Sequence, residues 1–223
     1  DCLLSRGLGD VYKRQALRES KPCYIEIASN LADAECADPQ PRTFERAWEV
    51  DYDQEAVERA ASEIAERINA AEKPLLLAGP HLRPYGAIDA FKRVAETIGC
   101  AVAVQPNAKS FFPEDHPQFI GHYLGNSSAP GAEAMVDLAD CVLAAGPMFT
   151  DYSTVGWTTT VPNDSGYIAV AEDGVTTPGA KYTNLPIAAV LEALEAKVER
   201  NTATLDQYNR DDITGEAADY TPA

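Results

Sequence analysis

Residues 74–79 read PLLLAG, and this stretch decides the fold of the chain. It is a short, continuous apolar run that begins at a proline and ends at a glycine. Such runs are typical of strands that are buried on both faces of a parallel sheet. Three similar runs follow along the chain, at residues 100–104 (CAVAV), 141–146 (CVLAAG) and 167–171 (YIAVA). The sequence therefore predicts four strands in this region.

Helical patterns separate these runs. Asp53 is a candidate N-cap, and Glu55 lies in the first turn, where a carboxylate favours the positive end of a helix. Apolar residues then recur at three- and four-residue spacing, at Val57, Ala60, Ile64, Ala65 and Ile68. Further helices are predicted over residues 88–98, ended by Gly99, over 131–139, and over 186–200 with Pro186 near the first turn. Strands that alternate with helices predict an α/β fold with a doubly wound, mostly parallel sheet.

Both ends of the chain differ from this pattern. Residues 1–15 look like a translated adapter and are excluded from the fold, so we expect the native sequence to begin near Ala16, inside a longer reading frame. Residues 23–28 (CYIEIA) follow a Lys-Pro pair and predict a strand. Residues 29–52 lack periodicity and predict a linker. Residues 201–223 are polar and acidic, and they predict an exposed linker or tail.

The charge and cysteine content exclude several classes of function. With 35 acidic and 18 basic residues, the chain has a formal net charge of −17, which repels nucleic-acid backbones and anionic membrane surfaces. The sequence contains no run of 18 apolar residues, so it predicts no membrane span. Five widely spaced cysteines form no zinc or disulfide pattern. We interpret them as buried free thiols and expect a cytoplasmic protein.

The loops after the second and third apolar runs are the candidate seat of function. One is the long stretch that starts at residue 105, and the other carries the polar and aromatic cluster DYSTVGW at residues 151–157. In an open α/β sheet, ligands and partner domains meet the loops at the carboxyl ends of the strands. Lys109, Glu114, Asp115 and His116 add a charged group whose spacing does not suit a metal site, and we interpret it as structural or as part of an interface.

Four segments resemble one enzyme family: KPCYIEIASNLA (21–32), PLLLAGPHLRP (74–84), QPNAKSFFPEDHPQFIGHYLG (105–125) and LAAGPMFTDYSTVGWT (143–158). They are similar to the pyruvate decarboxylases in their plant or algal form, which are thiamine-diphosphate-dependent 2-oxo acid decarboxylases. The related indolepyruvate and phenylpyruvate decarboxylases share the layout and stay open as alternatives. The resemblance implies three successive α/β domains. Residues 16–34 would end the pyrimidine-binding domain, 35–52 would be a linker, 53–200 the Rossmann-like central domain, and 201–223 a linker toward the pyrophosphate-binding domain.

The same resemblance implies an activity and its cofactors. The family removes CO2 from pyruvate to give acetaldehyde, with thiamine diphosphate and Mg²⁺ as cofactors, and its members assemble as dimers or tetramers. The family's catalytic glutamate precedes the first residues of this chain, its His-His pair has no counterpart among His81, His116 and His122, and its Gly-Asp-Gly motif is missing. We therefore expect no cofactor or metal ligand in this chain, and a fragment that is inactive by itself.

Tyr152 is the one candidate site residue. In the family, the corresponding loop of the central domain reaches the active-site cleft, and its tyrosine lies near the substrate. The alternative is that Tyr152 and Trp157 pack between domains, as amphipathic aromatic residues commonly do. A different function also stays open, a freestanding Rossmann-like module that binds a nucleotide or metabolite. Pro80 and Pro84 count against it, because they remove amide donors from the turn after residues 74–79.

Overall fold

The structure is a computed structural model, and it describes residues 12, 15–16, 21–24, 26, 28–31, 33–35, 51–159, 161 and 166–209. The chain divides into two compact units, residues 1–51 and 52–223. Within the first unit, the described residues include a 3-10 helix, Ser29–Leu31. The predicted tail 1–15 and the predicted linker 35–52 lie mostly outside the described residues and stay predictions.

The second unit is built on a seven-stranded sheet. Its strands are β1 (Pro74–Ala78), β2 (Ala101–Val104), β3 (Phe119–His122), β4 (Cys141–Ala145), β5 (Tyr167–Ala171), β6 (Gly174–Thr176) and β7 (Lys181–Thr183). They lie in the order β3-β2-β1-β4-β5-β6-β7. β1 to β5 are mutually parallel, whereas β6 pairs antiparallel with β5 and β7 pairs antiparallel with β6. The α/β class and the mostly parallel sheet are therefore confirmed.

Helices cover both faces of this sheet. The helices are α1 (Gln54–Ala70), α2 (Ile88–Ile98), α3 (Ala132–Leu138), α4 (Ile187–Glu195) and α5 (Ala203–Gln207), with short 3-10 helices at Pro80–Leu82 and Pro106–Ala108. One core cluster joins α1, α2 and α4 to the sheet, and a smaller one lies under α3. Every residue of β1 is buried, as expected of a strand covered on both faces.

Local sequence explains the ends of the helices. Asp53 caps α1 as predicted, because its Oδ1 accepts the N–H of Glu55 at 2.9 Å. Gly99 ends α2 in the left-handed conformation (φ 79°), which glycine adopts without a steric penalty. The predicted helix over 186–200 is too long, since α4 ends at Glu195. Asn69 explains the difference: its side chain bonds the carbonyl of Lys197 and the N–H of Glu199, and so holds that backbone outside a helix.

Three strands of the sheet were missed by the sequence patterns. β3 lies inside the stretch predicted as an irregular loop, and its pairing with β2 shifts register between Val102 and Ala103. β6 and β7 have three residues each, too few to display a period of two. β3 is defined by its pairing with β2 across an intervening loop, and β6 and β7 are defined by short antiparallel connections to the preceding strand.

The predicted strand over residues 23–28 is wrong at the positions described. Pro22, Cys23, Tyr24, Glu26 and Ala28 have no strand geometry and are exposed. A strand is stable only where a neighbouring strand satisfies its backbone groups, and no such partner is present among the described residues of this unit.

The prediction of an exposed linker from residue 201 is also wrong for residues 201–208. Thr204 of α5 is completely buried, and its hydroxyl donates to the carbonyl of Pro74 at 2.7 Å and accepts the N–H of Ala101 at 3.1 Å. The hydroxyl of Tyr208 donates to the carbonyl of Ile120 at 2.8 Å. This segment therefore belongs to the central unit, while residues 210–223 lie outside the described residues.

Two further properties follow from the described residues. None of their helices combines the length and the apolar character that crossing a bilayer requires. Cys100 and Cys141 are buried free thiols as predicted, whereas Cys23 is exposed and contradicts that prediction. Burial raises the pKa of the Cys100 thiol, and it raises that of Cys141 to about 12, so both are protonated at neutral pH.

Candidate functional site

The carboxyl ends of the parallel strands form the candidate site, and β1 and β4 meet at its centre. The neighbours of β1 are β2 on one side and β4 on the other, so the chain changes direction between β1 and β4. Ligands of open α/β sheets bind in the crevice at such a switch point. Gly79 and Gly146 line this point, where each follows its strand directly.

The crevice is closed by the protein's own backbone. The N–H of Gly79 donates to the carbonyl of Ala145 at 2.9 Å, and the N–H of His81 donates to that of Gly146 at 3.0 Å. The N–H of Gly146 is used in turn by the carbonyl of Val170 at 2.7 Å. A phosphate cradle requires free backbone amides, and these amides are already bonded within the fold.

Two side chains that follow β1, His81 and Arg83, contact other groups of the unit. Nδ1 of His81 lies 2.9 Å from Oε2 of Glu172, in the turn between β5 and β6. The guanidinium of Arg83 lies over the Phe111 ring, 4.3 Å from its centroid, which is a cation–π contact. Both side chains thus lie against groups of the same unit.

The loop after β4 carries Tyr152, and hydrogen bonds build it from within. The N–H of Thr150 donates to Oγ of Ser153 at 2.9 Å, and the hydroxyl of Thr154 donates to the carbonyl of Thr150 at 2.7 Å. The N–H of Trp157 then donates to Oγ1 of Thr154 at 2.9 Å. Ser153 and Thr154 are buried, so short polar side chains take the place of a hydrophobic core in this loop.

The aromatic side chains of the same loop are exposed, in contrast to Ser153 and Thr154. Tyr152 is 79% exposed and Trp157 is 59% exposed. Val155, Gly156 and Trp157 all have positive φ values of 48°, 70° and 65°. A β-branched residue and a tryptophan rarely adopt this conformation, and backbone strain of this kind concentrates at functional sites. The fold therefore presents Tyr152 at the carboxyl edge of the sheet on a strained and strongly bonded support.

A second contact fixes the far end of this loop. The N–H of Asn126 donates to Oγ1 of Thr158 at 3.0 Å, and the Tyr123 hydroxyl bonds that of Thr159. Gly125 lies so close to the backbone of Thr154 that a Cβ there would be 2.7 Å from its carbonyl oxygen. The sequence segments 105–125 and 143–158 are therefore in direct contact in the fold.

The charged cluster of the loop after β2 contains one ion pair and two close contacts between a histidine ring and a carboxylate. Nζ of Lys109 lies 2.9 Å from Oε1 of Glu114, and Nε2 of His116 lies 3.6 Å from Oε1 of Glu96. Nε2 of His122 lies 3.9 Å from the same Glu114 oxygen. Burial, followed by the charge of Lys109, lowers the pKa of His122, so this side chain is neutral at neutral pH. These contacts agree with a structural role for the cluster.

The described residues do not fit a thiamine diphosphate or Mg²⁺ site. Among them no group of three or more His, Cys, Asp or Glu side chains is arranged to hold a metal ion. The amides at the strand ends are bonded within the unit, which leaves no cradle for a diphosphate at the switch point. We therefore assign no cofactor contact to these residues.

One residue at this edge was missed by the sequence patterns. Gln105, directly after β2, is 2% exposed, and its side chain bonds both backbone groups of Met148. A glutamine at the end of an apolar run looks like the start of a solvated loop. Only the fold brings residues 105 and 148 together, so no local signal identifies this contact.

Comparison with known proteins gives one family. Residues 61–196 match the family described as thiamine pyrophosphate enzyme, central domain. The chain is 41% identical over 197 residues to a probable pyruvate decarboxylase of Schizosaccharomyces pombe and 42% identical over 197 residues to the pyruvate decarboxylase of Neurospora crassa; each match covers 88% of this chain and 34% of the relative. It is 37% identical over 202 residues to pyruvate decarboxylase 3 of Arabidopsis thaliana, which covers 87% of this chain and 33% of that protein.

These matches identify the family of the chain and the part of the protein it represents. The chain spans about a third of the length of these curated relatives. The family match covers more than half of the chain and includes all seven strands of the sheet described above. The chain belongs to the thiamine pyrophosphate enzyme family, and residues 61–196 are its central domain.

Proposed function

We propose that this chain is the central part of a pyruvate decarboxylase, which converts pyruvate to acetaldehyde and CO2 with thiamine diphosphate and Mg²⁺. The observation that carries the proposal is the identity of 41–42% to two fungal pyruvate decarboxylases across 88% of the chain. Similarity of this extent includes the loops at the carboxyl edge, where function resides in α/β folds.

Within such an enzyme, the residues of this chain serve as scaffold and as one wall of the site. The groups that bind the cofactor and move protons belong to the flanking domains, because the described residues do not fit a diphosphate or a metal ion. Domain boundaries near residues 34 and 52 are part of the proposal, and the central domain extends beyond residue 200 to Tyr208. We further propose a dimeric or tetrameric assembly in the cytoplasm.

Tyr152 is the proposed contribution of this chain to the substrate site. Its side chain is 79% exposed, although the loop that carries it is rigidly bonded on both sides. A phenol held in this way can donate a hydrogen bond to a substrate oxygen or exclude water from a carbanion. Its exposure in this unit leaves the ring accessible to a substrate or to another domain.

The alternative function, a freestanding nucleotide-binding module, has less support. Such a module requires free amides at the first strand end, and here the N–H groups of Gly79, His81 and Gly146 are bonded to carbonyls of the unit. The 3-10 helix Pro80–Leu82 begins with a proline, which supplies no amide. A nucleotide would have to break these contacts before it could bind.

The direct test is an assay of the complete reading frame. We expect the purified enzyme to release CO2 from pyruvate only when thiamine diphosphate and Mg²⁺ are both present. Indolepyruvate and phenylpyruvate should be compared at equal concentration, and a preference for either would correct the substrate. Absence of decarboxylation of all three acids by a folded protein would contradict the proposal.

A second test uses the present chain. Titration calorimetry of residues 1–223 with thiamine diphosphate and Mg²⁺ should give no binding heat. Micromolar binding would show that the cofactor groups are located in this chain after all. Titration with ATP and NAD⁺ under the same conditions examines the alternative, and binding of either would favour a nucleotide-binding module.

A further inference from the structure

Gln105 occupies an unusual place between three strand ends. Its N–H donates to the carbonyl of Ala78, the last residue of β1, at 2.8 Å, and its own carbonyl accepts the N–H of Ala108 at 2.8 Å. The backbone of Gln105 is thereby fixed to β1, although the residue follows β2. Its side chain reaches past the end of β1 toward the loop that leaves β4.

The side-chain amide pairs with both backbone polar groups of one residue on that loop, Met148. Oε1 of Gln105 accepts the N–H of Met148 at 2.9 Å, and Nε2 donates to the carbonyl of Met148 at 3.0 Å. The carboxamide of Gln105 thus bonds both backbone groups of Met148, as a neighbouring strand would, although Met148 lies beyond the end of β4. Because Gln105 is 2% exposed, water does not compete for these two bonds.

Met148 also forms a hydrogen bond within the loop that carries Tyr152, and so connects Gln105 to that loop. Its carbonyl also accepts the hydroxyl of Ser153 at 3.2 Å, and Oγ of Ser153 accepts the N–H of Thr150 at 2.9 Å. Tyr152 lies between these bonded residues and has few contacts of its own that could orient it. Its position therefore depends on the residues on either side of it.

We propose that Gln105 is a positioning residue, which sets the loop 147–157, and with it Tyr152, relative to the sheet. Its partner is the pair of backbone groups of Met148, one donor and one acceptor, and only a neutral carboxamide or carboxylic acid of this length supplies both complements. The functional importance of this position rests on the proposed role of Tyr152. The mechanical role of Gln105 is independent of that role and is tested separately.

The chain contains a matched control for the test. Gln118 is also a buried glutamine (6% exposed) whose side chain bonds backbone, since Nε2 donates to the carbonyls of Ala95 and Cys100 at 2.6 and 2.7 Å. These two partners lie outside residues 147–157. Gln105→Met and Gln118→Met remove the same chemical group from buried positions, so they separate a general loss of stability from a local effect on the loop.

Amide hydrogen exchange of the full 223-residue chain, followed by mass spectrometry, measures the outcome. In Gln105→Met we expect exchange of peptides covering residues 149–157 to accelerate about tenfold or more, as the loss of two buried hydrogen bonds implies, while β1 and β4 keep their protection. In Gln118→Met the change in residues 149–157 should be no larger than in the rest of the unit. Equal acceleration of this loop in both variants would overturn the proposal.

Gln105→Glu provides a second variant, in which the hydrogen bonds to Met148 depend on pH. At pH 8 its carboxylate cannot donate to the Met148 carbonyl, so the loop should exchange as fast as in Gln105→Met. Burial raises the pKa of a carboxyl group, so the side chain becomes protonated as the pH is lowered from 8 to 4, and the protonated acid restores one donor and one acceptor. Protection of residues 149–157, corrected for the intrinsic exchange rate, should then return to that of the unaltered chain.

The rescue keeps the proposal testable even if Gln105→Met does not fold. A Gln105→Glu chain whose loop stays equally unprotected from pH 8 down to about pH 4, below the ordinary pKa of a glutamate, would contradict the positioning role. Neither experiment requires catalysis, so its failure would leave the proposed decarboxylase function standing, and failure of the activity assay would leave the exchange result unaffected.

Discussion

Gly79 and Gly146 lie in direct backbone contact at the point where β1 and β4 end. A Cβ atom placed on Gly79 would lie 2.1 Å from the carbonyl oxygen of Gly146 and 2.5 Å from Cα of Pro147. The clash is with backbone on both counts, so no side-chain rotation can relieve it. This close approach allows the two loops to bond each other and to close the crevice.

Gly79→Ala should therefore destabilise the protein strongly. We expect a loss of about 2–3 kcal/mol in the free energy of unfolding, which is at the upper end for overpacking of a closely packed position. Urea denaturation of both proteins measures it. Gly86→Ala is the control: Gly86 has φ 65° but no neighbour within 4 Å, so it reports only the conformational penalty of about 1 kcal/mol. Equal effects of the two changes would contradict the steric explanation.

Thr204→Val should destabilise the unit although the replacement has nearly the same shape. The change leaves the N–H of Ala101 and the carbonyl of Pro74 buried without the hydroxyl that they share. We expect a loss of about 2 kcal/mol. Thr204→Ser keeps the hydroxyl and should lose about 1 kcal/mol, from its missing methyl group. If Val and Ser variants unfold at the same urea concentration, residues 201–208 are not anchored as described.

The contribution of Glu63 to stability should depend on pH. Its carboxylate accepts hydrogen bonds from Thr177, from Tyr182 (2.8 Å) and from Arg67 (3.4 Å), and the bond from Thr177 is the main cause of its lowered pKa. A carboxyl group whose pKa is lower in the folded state stabilises the protein above the unfolded pKa of about 4.3, and this contribution is lost as pH falls through the folded pKa.

Glu63→Gln should thus lower the free energy of unfolding by about 1 kcal/mol at pH 7 and by much less below about pH 4. Urea denaturation at a series of pH values measures the difference. Glu66→Gln, an exposed position on the same helix, is the control for the loss of one negative charge. A difference between Glu63→Gln and the unaltered chain that stays constant over this pH range would contradict the assigned hydrogen bonds.

Tyr152 can be tested for stability and activity separately. Tyr152→Phe in this chain should change the free energy of unfolding by less than about 0.5 kcal/mol, because the side chain is largely exposed. In the complete enzyme the same change should lower kcat about tenfold, the effect of one lost hydrogen bond to the transition state. Trp157→Phe, on the same loop, is the control. A Tyr152→Phe enzyme with unchanged kcat would show that the hydroxyl has no role in the reaction.

Composition alone was sufficient to predict the apolar strands of the sheet. The runs at 74–79, 100–104, 141–146 and 167–171 became β1, β2, β4 and β5. β1, β2 and β4 are buried along their whole length, as expected of apolar runs between two layers, whereas burial alternates along β5. The helix that follows Asp53 was equally clear, since its cap and its apolar spacing agree. Composition could not predict β3, which contains a glycine and a histidine and depends on its pairing with β2.

The candidate site was predictable only in part. The position of the DYSTVGW cluster at a carboxyl edge followed from strand order. In contrast, the contact between Gln105 and Met148 spans 43 residues and arises from the crossing of three strand ends. Phe112 is another case: it lies in a stretch predicted as an irregular loop, yet it is completely buried against Phe91 with their rings 6.2 Å apart. Such long-range contacts have no local period.

The two margins of the sheet bear on how the protein behaves at high concentration. β7 has only three residues, of which Lys181 is charged and lies 3.3 Å from Asp173, and β3 at the opposite margin pairs through an irregular register. Short, charged or irregular edge strands are poor templates for strand addition by another molecule. The sheet therefore ends in margins that resist pairing with a strand of another molecule, and the Ile120 carbonyl of β3 is already bonded by Tyr208.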